Sequence, residues 1–158
     1  RIKNKAISEE RFLIERFEVF MIRRYFNYEK DISDGQCGLW GYKFGKLNIN
    51  GCYKEIELTA EGYEIELDLL CEVLKNNLNY SFVDVELPEN SKIKSSFVYT
   101  NNLTKIKFFL NKYKGLKENI PSYIKQFEDK NKESISKNKL FWYKYKKDLI
   151  NLVNKFSQ

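Results

Sequence analysis

Apolar side chains recur every third or fourth residue over 7–26, where Leu13, Phe17, Phe20 and Arg24 share one stripe with Met21 and Tyr25 beside it. This spacing predicts a helix, with Ser8 as its cap and Glu9 and Glu10 in the positive first turn. A polar loop follows over 27–38. The period then drops to two. Trp40, Tyr42 and Phe44 alternate, then Leu47 and Ile49, and Cys52, Lys54, Ile56 and Leu58 oppose Tyr53, Glu55 and Glu57. Residues 39–58 therefore read as short strands, with Gly41, Gly45 and Gly51 at the turns.

Residues 60–78 admit two readings. A hairpin would line Glu55, Glu57, Glu64 and Glu66 along one face, and like charges in register are destabilising. A helix instead places Tyr63, Leu67, Leu70, Leu74 and Leu78 on one buried stripe, with Thr59 as its cap. The helix is the expectation. Residues 80–87 and 92–100 read as two further strands joined by a turn at Pro88. Helical spacing returns over 102–114, through Leu103, Ile106, Phe109, Leu110 and Tyr113, and Gly115 ends it. Pro121 is expected to open a short helix carrying Ile124 and Phe127. A final helix is expected over 135–156, with Phe141, Tyr145, Leu149, Leu152 and Phe156 on its stripe. The order helix-βββ-helix-ββ-helices predicts an α+β fold: one small mixed or antiparallel sheet with helices packed on it. The whole chain, 1–158, reads as a single domain.

Composition removes several chemistries. The chain has no histidine, which excludes Ser-His-Asp and Cys-His catalysis and His-ligated metals. No Walker loop, dinucleotide-binding glycine turn or paired CxxC is present, and no cofactor is expected. The longest apolar runs fall far short of the roughly 20 residues a membrane helix needs. Residues 1–5 have no apolar core, so no secretory leader is expected, and the expected location is cytoplasmic.

Lys, Asn, Ile, Tyr and Phe, the residues of AT-rich codons, are abundant. The distribution of charge therefore says more than the total of +6. Residues 1–50 carry 10 basic and 7 acidic side chains, residues 51–90 carry 2 and 10, and residues 91–158 carry 16 and 5. An acidic centre is followed by a strongly basic last third, which suits packing between the two or an anionic partner.

Three local patterns bear on chemistry. The string Asp34-Gly35-Gln36-Cys37-Gly38 resembles the nucleophile neighbourhood of OTU-type and papain-like cysteine proteases. Those enzymes need a base, normally His, and this chain has none, so Cys37 is assigned no catalytic role. The expected helix-βββ-helix-β order resembles the core of PD-(D/E)XK nucleases. That resemblance implies a magnesium site at Asp34, Glu55 and Glu57, beside Lys54, although Glu57 stands where the family has its lysine. The third pattern interleaves lysine with aromatic residues. Lys92, Lys94, Lys105, Lys107, Lys144, Lys146 and Lys147 would neutralise phosphates, with Trp142 and Tyr143 available to stack.

The reading that joins these is a non-enzymatic binding or accessory protein of the inhibitor, immunity or mobile-element type. Its basic last third would contact nucleic acid or an anionic protein surface. The alternative is a nuclease-like fold, active or not, with metal near Asp34, Glu55 and Glu57.

Overall fold

The computed structural model describes residues 9–28, 58–60, 62, 64–78, 81 and 99–156. Six helices account for most of them: α1 (Glu9–Tyr25), α2 (Ile65–Lys75), α3 (Tyr99–Lys112), α4 (Leu116–Lys130), α5 (Lys132–Lys137) and α6 (Lys139–Lys155). Among the described residues there is no strand. The fold they form is all-α, which corrects the α+β expectation. Residues 99 and 100, read as the end of a strand, form the first turn of α3. The remaining strand stretches lie almost wholly outside the described residues.

Asparagine ends most of these helices. Asn27 and Asn77 sit at φ 51° and 50°, the left-handed region that asparagine tolerates better than most residues. At each, the following amide reaches back over the last turn: Tyr28 N–H donates to the Arg23 carbonyl at 2.8 Å, and Leu78 N–H to Val73 at 2.9 Å. Asn76, Asn131 and Asn138 use another device. Each side-chain amide donates to the carbonyl four residues back, on Glu72, Phe127 and Ser134, at 2.9, 2.8 and 3.1 Å. At Phe127 and Ser134 these bonds satisfy carbonyls near a helix end; at Glu72 the bond adds to that of the Asn76 backbone amide.

Two boundaries differ from expectation. α4 begins at Leu116, not Pro121, because Gly115 turns the chain at φ 81° and Leu116 and Ile120 are already buried. The expected last helix breaks at Asn138 into α5 and α6.

One apolar cluster joins the helices. α1 packs along α4 and α6, and α3 packs on the same pair. Phe17 of α1 is fully buried at the centre, with edge-on contacts to Phe127 at 5.3 Å, Trp142 at 5.6 Å and Tyr145 at 6.1 Å. α2 adds Leu67, Leu70, Cys71 and Leu74, so the expectation of a helix with a buried leucine stripe holds there. Its first turn lies later than predicted. Thr59 does not cap it; the Thr59 and Ala60 amides donate instead to Asp68 Oδ2, at 2.9 and 3.2 Å.

Candidate partner-binding face of α6

α6 carries five lysines and one acid, Asp148. Its inner stripe is Trp142, Tyr145, Leu149 and Val153, all buried. Trp142 is fully covered, and its indole N–H donates to Glu128 Oε1 at 2.8 Å. Lys146 Nζ donates to both oxygens of the same carboxylate, at 2.8 and 3.0 Å. This pins α6 to α4 and fixes which side of α6 faces outward.

The outward side carries large apolar side chains in solvent. Leu140 is 89% exposed, Tyr143 52% and Ile150 37%. With Lys147 between them, the spacing from Leu140 is three, four and three residues, which is one straight stripe. Lys144 lies beside it and is exposed. The Lys146 ammonium stands 5.9 Å from the Tyr143 ring. Tyr143, Lys146, Lys147, Ile150 and Asn151 line a shallow groove of about 250 Å³.

The lysine and aromatic residues expected to act together are therefore only partly assembled. Tyr143, Lys144 and Lys147 share the outer side of α6, while Lys146 lies at its edge, half-buried and bonded to Glu128. Lys105 does not join them: it is buried, 6% exposed, on α3. Trp142 has no face left on which a base could stack. Lys107 is exposed on α3. Lys92 and Lys94 lie outside the described residues, as do Asp34, Glu55, Glu57 and Cys37. Sequence reasoning passed over Leu140 and Ile150. Their signal was present, one at each end of the stripe and each three residues from its neighbour.

A second polar cluster sits between α2 and α3. Asp68 and Glu72 are fully buried, and Lys112 Nζ bridges them at 2.6 and 3.3 Å. Burial alone would lower the Lys112 pKa, but hydrogen bonds and charge from the two carboxylates outweigh it and raise it above 10.5. Beside them, burial pushes the Cys71 thiol well above its ordinary 9.0. Burial, with the Cys71 thiol next to it, also pushes Tyr113 above 10.0. A thiol held neutral in this way is a poor nucleophile. A cleft of about 460 Å³ lies alongside, lined by Tyr25, Phe26, Thr59, Lys75, Lys112 and Tyr113. Its lysines are already committed, Lys112 to Asp68 and Glu72, and Lys75 to Glu72 at 3.6 Å. The cluster's evident work is to fix α2 against α3.

Among the described residues no group of three or more acidic or thiol side chains is placed to hold a metal ion. None of their helices is long and apolar enough to cross a membrane. No protein-family model, curated protein or solved structure matches this chain.

Proposed function

We propose that this is a binding protein, not an enzyme, and that the outer side of α6 contacts an anionic macromolecule. The observation that carries the reading is the stripe Leu140–Tyr143–Lys147–Ile150, where apolar side chains and lysines lie exposed on a helix whose other side is firmly anchored. Large apolar side chains aligned on one exposed face favour an interaction surface over chance exposure, which scatters them singly. The surrounding charge supports an anionic partner: α4 to α6 carry ten lysines and five acids. The unbridged, buried Cys71 thiol suits a reducing compartment, and we place the protein in the cytoplasm. The nuclease alternative rests on Asp34, Glu55 and Glu57, which lie outside the described residues, and no reading is built on it.

The test separates site from bulk charge. Lys144→Glu with Lys147→Glu changes net charge by the same amount as Lys125→Glu with Lys132→Glu, all four being exposed. On immobilised polyglutamate or heparin, the α6 pair should lower the eluting salt concentration clearly more than the control pair. Equal shifts would show that only net charge matters, and the reading would fail.

A further inference from the structure

We infer that the partner of this face is an acidic amphipathic helix of another protein, laid lengthwise along α6. The inference rests on the reading above and specifies its partner.

Shape supports a helix. From Leu140 to Ile150 the stripe spans eleven residues, a rise of about 15 Å or roughly three turns. A straight row at three- and four-residue spacing, apolar at Leu140, Tyr143 and Ile150 with Lys147 among them, is a face that one helix can present to another. The groove between Tyr143, Lys146, Lys147, Ile150 and Asn151 gives one apolar side chain of the partner a place to enter.

Charge supports an acidic partner and argues against a second copy of this chain. Lys147 stands within the row, and Lys144 on one side and Lys146 on the other border it, as charged residues border a coiled-coil seam, where opposite charges select the partner. In a two-fold pair of α6 helices, lysines would face lysines. α6 carries one acid, Asp148, which is half-buried.

Chemistry disfavours nucleic acid. Phosphates are bound by cations, and bases by stacking platforms. The stripe presents two aliphatic side chains and a single ring, while the tryptophan that could stack is buried. Exposed Leu140 and Ile150 have no use against a phosphate backbone. Against another helix they lose contact with water, and each would then add more than about tenfold in affinity if fully covered.

The experiment uses the whole chain and three labelled probes, followed by fluorescence anisotropy. The first is an amphipathic peptide of about 18 residues, roughly five turns, with leucine at the seam and glutamate at its edges. The second is a scrambled peptide of the same composition, and the third a DNA duplex. The wild type should bind the patterned peptide and prefer it to the scrambled one. Leu140→Asn with Ile150→Asn, which leave net charge unchanged, should weaken the patterned peptide about tenfold or more and leave duplex affinity unchanged. Far-UV circular dichroism should be unchanged, since both side chains are exposed. If the asparagines perturb it, Leu140→Ala with Ile150→Ala makes the same comparison. Equal binding of both peptides, or no effect of either substitution pair, overturns the helix inference. Binding of the duplex alone, with affinity falling steeply with salt, overturns it too, yet leaves the anionic-partner reading standing. That reading fails separately, when the α6 and control lysine pairs elute together.

Discussion

Lys112→Met should destabilise the fold by about 3 kcal/mol, a large effect for a single side chain at a helix end. The reason lies in what is left behind. Asp68 and Glu72 are fully buried, and Lys112 lies 2.6 and 3.3 Å from them. Removing one partner of a buried ion pair costs about 3–5 kcal/mol, because the other partner keeps its desolvation penalty without compensation. Two features place this case at the lower end. Asp68 keeps the Thr59 and Ala60 amides, and Glu72 keeps Lys75 at 3.6 Å. The contrast is Lys146→Met. There both partners of the Glu128 pair are 28% exposed, and solvent screening limits the loss to about 1 kcal/mol. Urea unfolding at neutral pH, followed by far-UV circular dichroism, measures both. The triple variant Lys112→Met, Asp68→Asn, Glu72→Gln should regain much of the loss, since it buries no unpaired charge. A loss below about 1 kcal/mol for Lys112→Met, or no recovery in the triple variant, would refute the argument.

The thiol and hydroxyl beside this cluster set a pH dependence. Cys71, Tyr113 and Lys112 are all shifted upward, from 9.0, 10.0 and 10.5, so the folded state holds their protons more tightly than the unfolded state does. Their stabilisation is complete below those ordinary values and is lost as pH rises past them. Stability should therefore fall from about pH 9 upward, and Cys71→Ala should flatten the first part of that fall by about 1.4 kcal/mol per pH unit in urea melts. At Gly115 an added Cβ would meet nothing within 4 Å, so any cost is that of the backbone at φ 81°. Gly115→Ala should lose about 1–2 kcal/mol and Gly115→Asn less, by thermal denaturation. Phe17→Ala removes the ring that touches Phe127, Trp142 and Tyr145, and should cost about 3–5 kcal/mol in the same assay.

Helical period was readable wherever one face is apolar and the other charged. α1, α2 and α3 lie close to where spacing puts them, and Leu67, Leu70 and Leu74 are buried as their 3-4 spacing implies. Phase was harder to read. Along α6 the rows Phe141–Tyr145–Leu149–Leu152 and Trp142–Tyr145–Leu149–Val153 have nearly the same apolar content and lie one residue apart. The carboxylate of Glu128, fourteen residues away, holds Trp142 inward, and no local pattern contains that fact. Lys105 was misplaced for a related reason. It lies three residues after Asn102 and four before Phe109, both buried, so it falls on the inward side of α3. The strand reading failed at residues 99 and 100, where β-favouring tyrosine and threonine join a helix that continues to Lys112. Such preferences yield to the packing of the longer element.

The breaks at Asn131 and Asn138 bear on how this chain avoids entangling with its own copies. Without them, residues 116–155 could run as one rod about 60 Å long. The breaks stand seven residues apart, just under two turns of helix. Together they fold the rod back on itself, and α6 returns to lie against α4 of its own chain. A straightened rod would carry α6 away, leaving the bed around Phe17 and Phe127 for the α6 of a neighbour. Alanine at both positions should therefore favour an exchanged dimer, visible by size-exclusion chromatography, in a chain that otherwise closes on itself.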